Sequence, residues 1–350
     1  MTQHPWPAVD YAKRGHAPAT LRITRRLAAM RAFGAIAMAT VASGAHPFRA
    51  AASLGERHTA FAARQEQGDD NAAAARALVP DAEEPMLELY PAGALHVVGQ
   101  ERFALGIVDP GAGPVEDATV ELLVFTLAGN QGTLTETLPA TFMPYGAAEA
   151  HAGDHQDGDV TGIYVARPTF AAPGDWGIVA RVTMPDGAIR AGQVSFAVAP
   201  ETAVPGPGDR AVASKTAVAA TPEETASICT ADPPDDMHDL SLDAALTNGK
   251  PTVVLFATPA LCTSRVCGPS LEALIELKQR YGNEANFVHV EIYPERDYAK
   301  PAAAIEEWQL PSEPWLFLID AAGTVAERFE GGIGLTELDP AVARLIEAGA

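Results

Sequence analysis

The sequence predicts two folded units of different class, an all-β antiparallel sandwich over residues 84–199 and an α/β domain over 229–350. Three observations predict this. From about residue 86 the chain alternates short β-type runs with Gly, Pro and Asp turn signals. Residues 200–226 are rich in proline and alanine without an apolar period, which reads as a break between units. Beyond residue 229, unbroken apolar runs of strand length alternate with stretches of helical period. A chain of 350 residues has room for two such units and their connections.

The first 45 residues have a composition of their own. Lys13, Arg14, Arg22, Arg25, Arg26 and Arg31 occur with no acid between residues 12 and 31, and the apolar run AFGAIAMATVASGA follows at 32–45. A basic segment before a short apolar run is the pattern of an export signal, and Ser43-Gly44-Ala45 supplies small residues for cleavage after Ala45. Thr24-Arg25-Arg26-Leu27 is similar to a twin-arginine signal. The run is shorter than the roughly 20 apolar residues of a membrane-spanning helix, and the alternative to a cleaved signal is an uncleaved amphipathic anchor associated with the membrane, or a disordered basic tail. The expected location is outside the cytoplasm, on the extracellular or cell-envelope side. Residues 46–83, with QEQGDDNAAAARA at their centre, read as a flexible spacer.

The runs MLELY, ALHVV, RFALGIVD, ATVELLVFTL, GIYVARPTF, WGIVARVTM and QVSFAVAP are the expected strands of the first unit. Breaks at Asp109-Pro110-Gly111 and Pro185-Asp186-Gly187 separate them. About seven short strands in roughly 115 residues predict a sandwich of immunoglobulin type. The stretch FAAPGDWGIVARVTMPDGAIRAGQVSFAV resembles a hairpin of small extracytoplasmic β-sandwich modules, which implies a core position for Trp176. HAGDHQDGD at 151–159 interleaves His151 and His155 with Asp154, Asp157 and Asp159; it reads as a solvated loop, with a metal loop as the alternative.

In the second unit, SLDAALTNG at 241–249 predicts a short helix with Ser241 as N-cap, and PTVVLFAT at 251–258 a buried strand. SLEALIELKQRYG predicts an amphipathic helix over 270–282, NFVHVEIY a strand over 286–293, and PAAAIEEW a helix over 301–308. PWLFLID and TVAERFE predict a hairpin around Ala322-Gly323, and PAVARLIEAG a closing helix. In NFVHVEIY, Glu291 is expected to face solvent and His289 to be an ordinary residue of the strand.

Two of the three cysteines lie in TPALCTSRVCGPS at 258–270. This segment, followed much later by SEPWLFLIDAAGTV, resembles the thioredoxin fold superfamily over about residues 238–350. Cys267-Gly268-Pro269-Ser270 matches three positions of the Cys-Gly-Pro-Cys entry to a helix, with Ser270 in place of the second cysteine. Cys262 stands five residues upstream instead, giving a C-x4-C pair. The resemblance implies that Pro314 is the cis-proline facing the thiols, with Ser312 and Glu313 completing a wall beside them. Leu255 and Val266 depart from the family, which has an aspartate and a tryptophan at those positions, and this points to a dedicated partner rather than general reduction.

The residues themselves support thiol chemistry. A helix N-terminus stabilises thiolate through unpaired N–H groups and the positive end of its dipole, Pro269 suits a first turn, and Arg265 adds positive charge. Exchange needs an attacking and a resolving thiol, and the helix end favours Cys267 for attack with Cys262 resolving. The expected partners are protein thiols or disulfides, or a small-molecule oxidant, with no cofactor. Alternatives are copper binding by Cys262, Cys267 and His238, which is similar to the copper chaperones of the same fold, and a non-catalytic interaction protein with a structural disulfide. Cys229 stands outside the motif with its role open. The net charge of −21 argues against nucleic acid as a partner, because phosphate contacts need clustered Lys and Arg.

Overall fold

The computed structural model describes residues 20–22, 75, 77–128, 131–145, 161–262 and 266–349. Apart from residues 20–22, the signal with its cleavage point lies outside the described residues, as do most of the 46–83 spacer, the 151–159 loop and Arg265. Among the described residues no helix is long and apolar enough to cross a membrane.

The N-terminal part is built from strands β1 (Thr20–Arg22), β2 (Glu88–Pro91), β3 (Gly99–Gln100), β4 (Phe103–Asp109), β5 (Gly113–Pro114), β6 (Thr119–Ala128), β7 (Gln131–Pro144), β8 (Gly162–Ala166), β9 (Thr169–Phe170), β10 (Gly174–Thr183) and β11 (Ile189–Val198). The main sheet runs in the order β11-β10-β6-β7-β8-β4-β2, and all its pairings along this path are antiparallel. It curls until its two ends meet, with Leu87 N–H donating to the Ala191 carbonyl at 2.8 Å. The two layers are thus joined through β7, which pairs with β6 up to Ala140 and with β8 from Thr141. The expected all-β antiparallel unit is present, with its two layers continuous as a near-barrel sheet. Leu105, Leu122, Val124, Phe170, Trp176 and Ile178 fill the space between the layers. Trp176 also donates its indole N–H to the Ala172 carbonyl at 2.9 Å, so its polar edge is satisfied inside the core.

The C-terminal part contains α1 (Pro222–Ile228), α2 (Leu242–Ala245), β12 (Thr252–Ala257), α3 (Cys267–Tyr281), β13 (Asn286–Glu291), α4 (Ala303–Glu307), β14 (Trp315–Ile319), β15 (Val325–Glu330) and α5 (Leu335–Gly349). Its sheet has the order β13-β12-β14-β15, with β12 parallel to β13 and the other pairs antiparallel. Both faces are buried, which is why β12 reads as an unbroken apolar run. Val253, Leu255 and Ala257 pack with α3 and α5, while Val254 and Phe256 pack with Trp308 beside α4 and Leu242 in α2.

The 200–228 stretch, expected to be a flexible linker, lies along this second part. Gly208 and Ala211 donate backbone N–H groups to the Val325 and Gly323 carbonyls, and Ala219 donates to the His238 carbonyl. Small side chains let its backbone approach closely enough for these bonds, an effect that composition alone disguises as looseness. Its last turn becomes α1, capped by a reciprocal Thr221 and Glu224 box. Likewise the end of the expected spacer packs on the sandwich, with Ala75 and Val79 buried against Phe125 and Val179.

Candidate functional site

The loop between β12 and α3 carries the thiol pair. Cys262 and Cys267 are joined by a disulfide with Cα atoms 6.0 Å apart, within the usual reach of such a bond. Cys267, the first residue of α3, is 0% exposed and belongs to the core formed with Leu271 and Leu274. Cys262 is partly exposed. No side chain caps the helix at Val266, and the Cys267 backbone N–H donates to the Cys262 sulfur at 3.3 Å. The first N–H of the helix is therefore directed at Cys262 rather than at the sulfur of the cysteine within the helix.

The following residues serve the helix entry. A Cβ on Gly268 would meet nothing within 4 Å, so this turn is open on its outer side. Pro269 lies in the first turn, where its missing N–H leaves no bond unmade. Ser270 is buried; its hydroxyl donates to the Val266 carbonyl at 2.7 Å and accepts the Ile333 N–H at 3.2 Å. Val266 itself packs among Tyr145, Ile163 and Val165, so the sandwich covers one side of the helix start.

The sheet register collects further residues at the same end. Phe256 pairs with Trp315 and Ala257 with Glu291, which puts Pro314 and Glu291 beside the point where the cysteine loop leaves β12. The Glu313–Pro314 peptide bond is cis, and Pro314 is buried. Burial pushes the Tyr293 phenol up, and the nearby Glu313 charge adds to the shift. Tyr298 donates to the Leu261 carbonyl at 2.9 Å, and its ring meets Tyr293 edge-on. Glu291 is buried rather than facing solvent, and it accepts from the Thr230 N–H and hydroxyl at 2.9 and 2.6 Å. The expected solvent-facing alternation fails because residues 229–231 cover this end of β13.

A second grouping stands at the edge of β13. Cys229, Asp235, His238 and His289 place their potential ligand atoms within 4.8 Å of one another, and all four are buried. The Asp235 Oδ2 lies 3.2 Å from the Cys229 sulfur, 3.3 Å from His238 Nε2 and 2.7 Å from His289 Nδ1. The register is held by the backbone, since the His289 N–H donates to the Met237 carbonyl at 3.0 Å. Burial pushes the Cys229 thiol up, but hydrogen bonds with His238 and His289 outweigh it and hold the pKa at about 7. Burial also acts to raise the Asp235 carboxyl, and the same two imidazoles outweigh it, leaving it well below the usual carboxylate range. For both histidines, burial favours the neutral ring and the Asp235 hydrogen bond overrides it, raising their pKa.

The structure bonds Cys262 to Cys267 and places His238 in the second grouping, with Cys229, Asp235 and His289. Sequence reasoning missed Asp235 and His289 as partners of Cys229. The available signal was the short run C-x5-D-x2-H ahead of a strand histidine. A cleft of about 340 Å³ lies between the two parts, lined by Arg102, Arg167, Arg328 and Arg344 among others, and its lining includes no cysteine or histidine.

No family model matches the chain, and no curated protein matches it. Among solved structures it is similar to CopC from Methylosinus trichosporium OB3b, with 21% identity over 34% of this chain and 97% of that one, at a TM-score of 0.21. A thiol:disulfide interchange protein of the thioredoxin family from Chlorobium tepidum TLS is 19% identical over 31% of this chain and 86% of that one, at a TM-score of 0.24. The PmoD soluble domain from Methylocystis sp. ATCC 49242 (Rockwell) is 17% identical over 30% of this chain and 75% of that one, at 0.19. Each likeness covers a minority of the chain, so the chemistry is argued from this chain's own side chains.

Proposed function

We propose that the C-terminal part is a thioredoxin-like domain that carries out thiol–disulfide exchange through Cys262 and Cys267, outside the cytoplasm. The observation that carries this reading is the disulfide at the uncapped start of α3, with one sulfur partly exposed and the other buried. The order β-α-β-α-β-β-α and the parallel pairing of β12 with β13 support the thioredoxin-like assignment. The basic segment and apolar run at 12–45 support export.

Exposure and hydrogen bonding support Cys262 as the attacking thiol, in place of the expected Cys267. In the reducing direction the Cys262 thiolate, stabilised by the Cys267 N–H, attacks one sulfur of a substrate disulfide, and the other leaves as thiolate. The resulting mixed disulfide joins Cys262 to the substrate. Cys267 then attacks the Cys262 sulfur as a thiolate, expelling the second substrate thiolate and re-forming the Cys262–Cys267 bond. Two electrons pass to the substrate, and two protons follow to its sulfurs. The oxidising direction is the same sequence reversed. Pro314 and Glu313 would border the bound segment of substrate, with Glu313 disfavouring acidic sequences there.

Reduction of insulin by the purified chain, driven by dithiothreitol, tests this. The wild type is expected to accelerate insulin precipitation, Cys262→Ser to abolish the acceleration, and Cys267→Ser to accumulate a mixed disulfide at Cys262. A pair that stays oxidised in excess dithiothreitol would instead identify a structural bond, because stabilising disulfides have reduction potentials below about −300 mV.

A further inference from the structure

We infer that Cys229, Asp235, His238 and His289 form a four-coordinate site for one divalent transition-metal ion of borderline softness, of which zinc is the type, separate from the Cys262–Cys267 pair. Four features lead there. The donor set is one sulfur, two imidazoles and one carboxylate, a combination that suits zinc and its neighbours rather than calcium or magnesium. Metal–ligand distances of about 2.0–2.3 Å put the corners of a tetrahedron roughly 3.3–3.8 Å apart. The ligand atoms here all lie within 4.8 Å of one another, so small side-chain adjustments complete the site.

Charge is the second feature. A thiolate and a carboxylate together neutralise a divalent ion, so the loaded site carries no net charge into a region where each residue is at most 7% exposed. Without the ion, the same burial leaves Asp235 Oδ2 serving three polar neighbours at once.

The surrounding groups already orient the ligands. Asp235 Oδ1 accepts the Met237 N–H at 2.9 Å, leaving Oδ2 to face the cluster. His289 Nε2 lies 3.4 Å from the Ala257 carbonyl, a partner that holds the proton on that nitrogen and turns Nδ1 inward as a lone-pair donor. Cys229 is set by Arg296, which donates to its backbone carbonyl at 3.1 Å.

Access is the fourth feature. One cavity of about 210 Å³ is lined by His238 and His289, and a second of about 470 Å³ by Asp235 and His238. His238 is common to both and stands where an ion would enter. A purely structural cluster would have no need of two openings onto the same imidazole.

The test uses the full chain with Cys262→Ser and Cys267→Ser, in which Cys229 is the sole remaining cysteine of three. After chelator treatment under reductant it is titrated with Co2+ alone. One equivalent is expected to give a thiolate-to-cobalt charge-transfer band with intense visible bands of a four-coordinate ion, and Zn2+ is expected to bleach both. His238→Gln should weaken binding about tenfold or more, and Cys229→Ser should remove the charge-transfer band. Absence of that band at saturating Co2+, or its survival in the Cys229→Ser variant, overturns the proposal. Should Cys229→Ser fail to fold, X-ray absorption on the zinc-loaded triple-cysteine chain under oxidising conditions decides. One sulfur at about 2.3 Å among nitrogen and oxygen neighbours supports the site, and a shell without sulfur overturns it. None of these readouts depends on exchange activity, so loss of exchange by Cys262 and Cys267 leaves this inference standing.

Discussion

Cys262, in the loop, accepts a hydrogen bond from the Cys267 N–H, while Cys267 is shut into the core. The covering of Cys267 and the partial exposure of Cys262 decide which sulfur a large substrate can reach. Alkylation of the reduced chain is therefore expected to modify Cys262 many times faster than Cys267, measured by peptide mass spectrometry at increasing times. Equal rates would sink the assignment of Cys262 as the attacking thiol. Ser270 fills the position of the second thioredoxin cysteine with a hydroxyl bonded on both sides. Ser270→Ala leaves the buried Ile333 N–H without its partner and should cost about 1–3 kcal/mol in urea unfolding.

At the scale of elements, His96 illustrates how the sandwich depends on pH. It lies between β2 and β3, with its ring against Phe103 and Phe196 at centroid distances of 5.2 and 4.5 Å. Burial lowers its pKa from 6.5 to about 4. The folded state therefore holds fewer protons than the unfolded state between these values, and stability falls as the pH drops from about 6.5 toward 4. The loss is on the order of 3 kcal/mol. Urea unfolding at pH 7 and pH 4.5 should show the wild type losing more stability than His96→Leu, and an equal loss in both would refute the assignment. The strand β7 shows a different limit of sequence reading. Residues 131–144 are not among the expected strands, yet β7 is the longest strand among the described residues, with Pro139 opposite Glu121. The helix α3 begins at Cys267, where the thiol motif is expected to enter a helix, while α5 begins at Leu335, five residues before the expected Pro340.

Across the whole molecule, the two parts are locked by Arg102. Its guanidinium donates two bonds to the Glu337 carboxylate at 2.8 Å and further bonds to the Glu330 and Gly332 carbonyls. Both side chains are almost fully buried. Arg102→Ala leaves the buried Glu337 carboxylate facing the more distant Arg167 at 3.8 Å and should destabilise the docked arrangement by about 3 kcal/mol. Limited proteolysis should then cut near 200–221 in the variant and spare the wild type. The contact also reaches the thiols, since Leu335 at the start of α5 donates to Tyr145 of the sandwich and Val266 packs on the same tyrosine. A Cβ on Gly334 would collide with the Pro144 carbonyl. Gly334→Ala is therefore expected to part the two surfaces and raise the alkylation rate of Cys267.

The local patterns of the chain determined what depends on neighbours in sequence. Strand alternation, helix periods and turn residues placed β12, β13 and the β14–β15 hairpin within a residue or two, because these signals report burial one side chain at a time. The Cys262–Cys267 pair was legible for the same reason, as only four residues separate the two in sequence. Only the tertiary structure decided which cysteine is covered, that residues 200–221 lie bound to the second part, and that Cys229, Asp235, His238 and His289 meet. His289 is 54 residues from Asp235 in sequence, and parallel pairing of β13 beside β12 brings them to 2.7 Å. Such meetings are set by chain packing across long loops, where no period in the sequence records the partner.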